Sequence, residues 1–210
     1  MVLERISIDF DEPTASAVAR AVAVLESGGL VVAPTETRYG LLARADRAEA
    51  VQRLVRAKGR DFNQPVAVFV QSTAALWEVG RITLVGEALA RRFLPGPLTL
   101  VLEAQVAWPP PVVVGGKIGL RLSDAPIILK ILSGIGVSLT ATSANRSGSQ
   151  ELTRIDEIAA QLGADVDIYL DAGPLDRPVS TVVDGSGDRP VVLREGAIES
   201  EQIAQVLNGK

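Results

Sequence analysis

Apolar residues along this chain follow two patterns, short continuous runs and repeats at helical spacing. Val18, Val22 and Leu25 recur at helical spacing, which predicts a helix over residues 14–27. The run Leu30–Ala33 is apolar throughout and predicts a strand that is buried on both faces. The two patterns alternate to the end of the chain, which is typical of an α/β protein with a mixed sheet.

The same patterns predict strands and helices in one domain over residues 1–210, without an internal repeat. The predicted strands cover residues 3–8, 30–33, 39–43, 66–70, 98–102, 117–122, 137–141, 167–170, 179–183 and 191–193. The predicted helices cover residues 14–27, 46–58, 72–79, 83–94, 125–133, 153–162 and 199–207. Asp46 and Thr153 are the predicted N-caps of the second and the sixth helix.

Composition indicates a large aliphatic core and restricts the possible chemistry. The chain has 210 residues, of which 47% are hydrophobic and 4% aromatic, so Val, Leu, Ile and Ala fill the core. The formal net charge is −4, which argues against a strongly basic nucleic-acid-binding surface. The absence of Cys and His excludes disulfides, thiolate and imidazole metal ligands, Cys nucleophiles and His bases. Catalysis would have to use Lys, Arg, hydroxyl, amide and carboxylate groups.

The N-terminal residues predict neither a signal peptide nor an anchor. Residues 1–11 carry acidic side chains and lack a long apolar core. No apolar run in the sequence is long enough to span a bilayer. We therefore expect a cytoplasmic protein that does not contact a membrane.

Three polar segments are candidates for a ligand site. Pro34–Gly40 follows a buried strand, where open α/β sheets bind ligands, although a simple turn has the same composition. Lys58-Gly59-Arg60 offers two cations that suit phosphate, although a charged helix C-terminus is the commoner origin of such a segment. Ser143-Ala144-Asn145 follows a strand and can hold a nucleotide or form an ordinary turn.

Isolated polar residues near other strands are also candidates. Arg121 lies in an apolar strand and needs an anionic partner or access to water. Arg194 ends a strand, where it can bind phosphate or pair with Glu195, and Ser180 opens another strand. The sequence contains no Walker A and no GxGxxG motif. No carboxylate cluster indicates a metal site, so Mg²⁺ would arrive with a substrate's phosphates.

Six segments, in order, resemble the motifs of the YrdC (TsaC) family. They are Pro34–Leu41 (PTETRYGL), Lys58–Arg60 (KGR), Leu94–Thr99 (LPGPLT), Ser143–Gly148 (SANRSG), Ser180–Asp184 (STVVD) and Leu193–Gly196 (LREG). The resemblance implies a twisted mixed sheet flanked by helices, with a concave substrate cavity. It also implies the short form of the family, without the extra C-terminal domain of longer relatives.

The resemblance implies the activity of an L-threonylcarbamoyladenylate synthase, a nucleotidyltransferase. Such enzymes convert L-threonine, bicarbonate and ATP, with Mg²⁺ on the phosphates, to threonylcarbamoyl-AMP and pyrophosphate. Partner proteins then transfer the threonylcarbamoyl group to tRNA, which gives threonylcarbamoyladenosine.

The family motifs also assign roles to residues of this chain. Lys58 and Arg60 would be the catalytic residues that grip the triphosphate. The other implied ATP contacts are Ser143, Asn145 and Arg194. The implied L-threonine contacts are Thr35, Arg121 and Ser180.

The sequence departs from the family motifs at Arg38, at Leu94 and at two positions where relatives often carry histidine. These departures bear on amino-acid recognition more than on the nucleotide site. One alternative is a non-catalytic RNA-binding protein like the YciO paralogues, which would bind the phosphodiester backbone at Lys58, Arg60, Arg121 and Arg194. For a synthase we expect only weak RNA contact. Another is a carbamoyl-transfer module like that in HypF proteins, which the short length and the absence of cysteine disfavour.

Overall fold

The computed structural model describes residues 3–208. Its helices are α1 (Ala15–Glu26), α2 (Ala48–Lys58), α3 (Thr73–Val79), α4 (Leu84–Phe93), α5 (Pro126–Ile135), α6 (Ile155–Leu162) and α7 (Ser200–Asn208). Its strands are β1 (Glu4–Ser7), β2 (Val31–Pro34), β3 (Tyr39–Leu42), β4 (Ala67–Phe69), β5 (Leu98–Glu103), β6 (Lys117–Arg121), β7 (Leu139–Ser143), β8 (Ile168–Asp171), β9 (Thr181–Asp184) and β10 (Val191–Arg194). The predicted elements are thus present, with boundaries moved by one to a few residues. The predicted domain limits at residues 1 and 210 lie outside the described part.

The strands form one sheet of ten strands in the order β1-β8-β2-β3-β7-β4-β6-β5-β9-β10. Parallel pairs (β1 with β8, β2 with β8, β4 with β6, β5 with β9) are mixed with antiparallel ones. The central strand β7 is antiparallel to both of its neighbours, β3 and β4. The mixed α/β architecture predicted from the apolar pattern is confirmed.

The connection between β8 and β9 requires the sheet to be curved. These strands are second and ninth in the order, which is about 34 Å apart in a flat sheet. The ten residue steps from Asp171 to Thr181 reach about 34 Å only when fully extended. The segment is not fully extended, because Gly173 has a positive φ of 82°. The sheet is therefore curved, and residues 171–181 cross its concave face.

Local sequence rules explain some helix ends, but not the two N-caps that the sequence predicts for α2 and α6. The Thr14 hydroxyl accepts from Ala17 N at 3.3 Å and caps α1. Gly59 ends α2 in the left-handed conformation (φ 56°), which glycine adopts without steric cost. The predicted cap Asp46 is wrong, because Arg47 holds the N-cap position and the Asp46 carboxylate pairs with Arg44 at 2.6 Å.

The predicted cap of α6 is wrong as well. Arg154 occupies the N-cap position without a side-chain bond, and Thr153 uses its carbonyl oxygen to accept from Leu175 N. Tertiary contacts of the loop therefore outweigh the local preference for a threonine cap.

Aliphatic side chains fill the core on both sides of the sheet, as the composition predicts. Strand β2 is buried over its whole length, in agreement with its continuous apolar sequence. Within residues 3–208, no helix is both long enough and apolar enough to cross a membrane.

Candidate active site

A cavity of about 440 Å³ lies on the concave face of the sheet. Alternate residues of neighbouring strands form its floor, among them Phe69 of β4, Thr99 of β5 and Arg121 of β6. Side chains at alternate positions of a strand point to the same face, so one sheet face supplies most of the lining. Residues from loops 34–39, 145–153 and 172–180 complete the walls.

The structure brings six of the eight predicted site residues to this cavity. They are Thr35, Arg60, Arg121, Ser143, Ser180 and Arg194. The other two, Lys58 and Asn145, lie behind the wall that Ser143 forms. Whether any of the eight contacts a substrate stays a prediction at this point.

Lys58 is buried, with 1% of its surface exposed, and its amino group binds the backbone of the predicted nucleotide segment. Nζ donates to the carbonyl oxygens of Ser143 and of Asn145, the latter at 2.6 Å. The Lys58 carbonyl in turn accepts from Ser147 N at 2.8 Å. Burial lowers the pKa of Lys58 to about 7, the Arg60 charge adds to this effect, and the Glu151 carboxylate opposes it. The side chain therefore ties two predicted motifs together.

Asn145 stabilises the same loop from inside. Its Nδ2 donates to the carbonyl oxygens of Arg146 at 2.9 Å and Ser149 at 3.0 Å. These bonds close the loop after β7 and fix the position of Ser143 in the cavity wall.

Arg60 follows the left-handed Gly59, which turns the chain away from α2 and towards the cavity. Its guanidinium donates to the carbonyl oxygens of Gln64 at 3.2 Å and Pro65 at 2.8 Å. Partial burial lowers the pKa of Arg60, but an arginine pKa remains far above neutral pH. Arg60 is thus a fixed cation at the cavity wall.

Arg121 is held in a buried network with Glu36. Its Nη2 donates to Glu36 Oε1 and, at 3.1 Å, to Thr37 Oγ1, while Ser123 Oγ donates to Glu36 Oε2. The Arg121 guanidinium also lies over the Phe69 ring, 4.8 Å from its centroid. The partner that the sequence required for this arginine is therefore Glu36, from the first motif.

Thr35 is buried at the start of the same loop. Its Oγ1 donates to Arg38 O at 2.6 Å, accepts from Thr37 N at 3.2 Å and lies 3.0 Å from Thr37 Oγ1. These bonds hold the loop in shape and use the proton of the Thr35 hydroxyl.

Arg194 is a second fixed cation of the cavity lining, and Ser180 holds its guanidinium in place. Arg194 Nη2 donates to Ser180 O at 2.8 Å and to Ser180 Oγ at 3.0 Å, and Thr99 Oγ1 lies 2.9 Å from the same hydroxyl. Gly196 packs so closely on this segment that an added Cβ would lie 2.3 Å from Val179 O. Glycine is therefore required two residues after Arg194.

Sequence reasoning did not identify four charged residues of the lining: Lys117, Asp184, Arg38 and Glu151. Lys117 and Asp184 form an ion pair of 2.6 Å at one end of the cavity. Arg38 lies 3.0 Å from Asp176 Oδ1, and its Nε lies 3.9 Å from Glu151 Oε2. Arg38 was visible as a charge inside a motif, whereas nothing in the sequence distinguished Glu151 from other loop carboxylates.

The lining is basic although the whole chain is acidic. Five cations (Arg38, Arg60, Lys117, Arg121 and Arg194) and two carboxylates (Glu151 and Asp184) face the cavity. A concave site with this excess of fixed positive charge attracts anions.

In the part of the chain that the structure describes, no group of three or more acidic residues is arranged to hold a metal ion.

Comparison with known proteins identifies the family. The family model Sua5_yciO_yrdC, described as "Telomere recombination", matches residues 23–196. This match covers most of the chain.

The chain belongs to the Sua5/YciO/YrdC family.

Curated relatives and a solved structure of this family match at least nine tenths of the chain. The "Threonylcarbamoyl-AMP synthase" of Bacillus subtilis is 35% identical over 194 residues, 90% of this chain and 56% of that protein. The "Putative threonylcarbamoyl-AMP synthase" of Mycobacterium tuberculosis is 36% identical over 207 residues, 93% of this chain and 91% of that protein. Pyrococcus abyssi Sua5 complexed with L-threonine superimposes with a TM-score of 0.89 at 32% identity, over 99% of this chain and 61% of that one.

These comparisons confirm the resemblance and the fold class that the sequence motifs implied. The twisted mixed sheet with flanking helices is that of the Sua5/YciO/YrdC family. The chain spans little more than half the length of the Bacillus relative.

Proposed function

We propose that this chain is an L-threonylcarbamoyladenylate synthase that uses L-threonine, bicarbonate and ATP. The observation that carries the proposal is that one cavity combines the buried Arg121–Glu36 network with the separate cations Arg60 and Arg194. The first suits the carboxylate of an amino acid, and the others suit phosphates. The names of the curated relatives and the L-threonine bound to the Pyrococcus protein support this assignment.

ATP would bind along Arg60, Ser143 and Arg194. Both guanidinium groups are anchored on backbone carbonyls, so they are preorganised and lose little freedom when phosphates bind. Mg²⁺ would arrive on the phosphates, since an ATP-bound ion needs few protein ligands.

Lys58 and Asn145 would act on the nucleotide through the loop that carries Ser143. A direct contact between Lys58 and phosphate would require Nζ to leave the carbonyl oxygens of Ser143 and Asn145. Arg60 is therefore the better candidate of the two predicted catalytic residues for touching the triphosphate.

L-Threonine would bind with its carboxylate on Arg121 and with Thr35 and Ser180 nearby. The pairing of Arg121 with Glu36 and Thr37 fixes the guanidinium plane. Its Nε is buried without a hydrogen-bond partner, so it is available to a ligand.

The reaction needs positioning and charge neutralisation more than a nucleophilic side chain. The neutral threonine amine attacks CO₂ from bicarbonate and forms a carbamate, and the proton that the amine loses leaves with the bicarbonate hydroxide as water. A carbamate oxygen then attacks the α-phosphorus of ATP, and the bond to the bridging oxygen breaks as pyrophosphate leaves. Arg60 and Arg194 would neutralise the charge that develops on the phosphates, which is the main task in nucleotidyl transfer. A protein without His and Cys can perform this chemistry.

The proposal extends to the biological setting of the product. Partner proteins would transfer the threonylcarbamoyl group to tRNA in the cytoplasm, and residues 1–210 would act as one domain. Direct RNA contact would be weak, since the net charge is −4 and sequence-independent binding depends on many cations. The synthase names of the relatives favour this function over a non-catalytic RNA-binding protein.

Pyrophosphate release tests the proposal. Purified protein is incubated with ATP, Mg²⁺ and bicarbonate, together with threonine, serine or glycine. We expect release that depends on bicarbonate and is fastest with threonine. Arg60→Met should lower the rate strongly, whereas Arg91→Met, which changes an exposed ion pair with Glu87, should not. Absence of release with every amino acid would contradict the proposal, and tight salt-dependent RNA binding without turnover would favour the alternative.

A further inference from the structure

Among residues 3–208, five buried side-chain polar atoms lack a hydrogen-bond partner. Two of them, Asn145 Oδ1 and Ser147 Oγ, lie in the loop after β7, and three belong to residues of the cavity lining: Arg38 Nε, Arg121 Nε and Glu151 Oε2. Buried polar atoms in folded proteins nearly always have partners, so each exception calls for an explanation, and a bound ligand is one. The cavity therefore offers two unpaired cationic donors and one unpaired anionic acceptor.

Of the three carboxylates at the site, Glu151 is the one with an oxygen that can still accept a hydrogen bond from a ligand. Glu36 already accepts from Arg121 and Ser123. Asp184 accepts from Lys117 and Ser186, each at 2.6 Å. Glu151 Oε2 forms a long ion pair with Arg38 Nε at 3.9 Å, which is beyond hydrogen-bond distance, so this oxygen accepts no hydrogen bond from the described residues.

Glu151, Arg121 and Arg194 all line this cavity. Burial lowers the pKa of Arg194, the Glu151 carboxylate acts in the opposite direction, and the Arg121 charge acts in the same direction as burial. An unpaired donor on a cation and an unpaired acceptor on an anion, facing one cavity, match the two charged groups of a free amino acid.

We propose that the Glu151 carboxylate binds the α-ammonium group of the amino-acid substrate, while Arg121 binds its carboxylate. This assignment rests on the proposed function and names a residue that the family motifs do not include. It makes Glu151 a specificity-determining residue, because it distinguishes amino acids from carboxylic acids that lack the amine. It also places the amine before it is deprotonated for attack on CO₂.

Binding of two ligands to two proteins tests the assignment without turnover. Isothermal titration calorimetry compares L-threonine with 3-hydroxybutyrate, which has the same carboxylate and hydroxyl but no amine. For Glu151→Gln, which keeps the shape and removes the charge, we expect the Kd of threonine to rise about 10- to 100-fold, as for loss of a charged hydrogen bond. The Kd of 3-hydroxybutyrate should change by less than about twofold, because it has no group for Glu151 to bind.

Asp176→Asn is the matched control. Asp176 is the other carboxylate that contacts Arg38, but it is 84% exposed and outside the cavity lining. Both Kd values should stay within about twofold of the unmodified protein. Glu151→Ala is measured in parallel, so that a folding defect of the glutamine variant does not decide the result.

The outcomes separate this assignment from the proposed function. Unchanged threonine affinity in Glu151→Gln and Glu151→Ala, or an equal loss for both ligands, would overturn the role of Glu151 while threonine binding by the unmodified protein stands. If the unmodified protein does not bind threonine at all, the proposed function fails and the assignment fails with it.

Discussion

The amino group of Lys58 donates to the backbone carbonyl of Asn145 at 2.6 Å, across the interface of two sequence motifs. The same nitrogen also donates to Ser143 O. Lys58 ends α2, and Ser143 ends the central strand β7, so these bonds join a helix end to the wall of the cavity. Lys58, which the sequence suggests as a phosphate-binding cation, thus holds the backbone of the site in shape.

Removal of the Lys58 amino group should destabilise the protein. In Lys58→Met, two buried carbonyl groups lose their donor, and we expect a loss of about 2–4 kcal/mol in the free energy of unfolding. Arg60→Met should cost less than about 1 kcal/mol, because Gln64 O and Pro65 O lie in a loop that water reaches. Urea unfolding measures both, and calorimetry should show weaker ATP binding in both. A Lys58→Met variant of normal stability would indicate a direct phosphate contact instead.

The lowered pKa of Lys58 predicts a rise in stability with pH. Between about pH 7 and pH 10.5, Lys58 is neutral in the folded protein but protonated in the unfolded chain. The unfolded state then binds more protons, so the free energy of unfolding increases with pH. From pH 7 to pH 9 the unmodified protein should gain up to about 2 kcal/mol relative to Lys58→Met. Equal pH dependence of the two proteins in urea unfolding, or the opposite sign, would contradict the buried position of Nζ.

Variants of the Arg121–Glu36 pair should distinguish the effect of these residues on stability from their effect on substrate binding. Arg121→Met leaves the Glu36 carboxylate buried without its cation, which should cost about 3–5 kcal/mol. The double variant Glu36→Gln with Arg121→Met should recover most of this stability, because no buried charge remains. Neither variant should bind L-threonine in calorimetry. Restored threonine binding in the double variant would show that Arg121 has no direct contact with the substrate.

The Ser180 hydroxyl should help to hold Arg194 in its position. Ser180→Ala removes the hydroxyl that contacts Arg194 Nη2 at 3.0 Å and Thr99 Oγ1 at 2.9 Å. We expect a cost of about 1 kcal/mol in stability and a KM for threonine that is about 10-fold higher. Steady-state kinetics measure the effect, with Ser200→Ala as a control on the exposed surface near Glu195. An unchanged KM would remove Ser180 from the threonine site.

The periodicity of apolar residues was sufficient to predict the elements of the fold but not their order in the sheet. Strand β2 was evident because a continuous apolar run is buried on both faces. Helix caps were less predictable. The Asp46 carboxylate found a stronger partner in Arg44, and the Thr153 carbonyl is used by Leu175, so local preference lost to nearby charges and to tertiary contacts.

The candidate site was predictable where a family motif contains the residue. Arg194 was found in this way, whereas Arg121 was evident as a charge in an apolar strand, and their partners Ser180 and Glu36 depend on strand order. The buried position of Lys58 was not predictable, since a helix end with Lys and Arg is usually exposed. Glu151 was missed because the path of its loop depends on contacts that are distant in sequence.

Detection of the product tests the central claim most directly. The protein is incubated with ATP, Mg²⁺, L-threonine and ¹³C-labelled bicarbonate, and the mixture is analysed by mass spectrometry. We predict a threonylcarbamoyl adenylate whose mass is shifted by the label, formed together with pyrophosphate and absent when Arg60→Met or Arg121→Met replaces the unmodified protein. An adenylate without the label, or no adenylate while ATP and threonine both bind, would contradict the account.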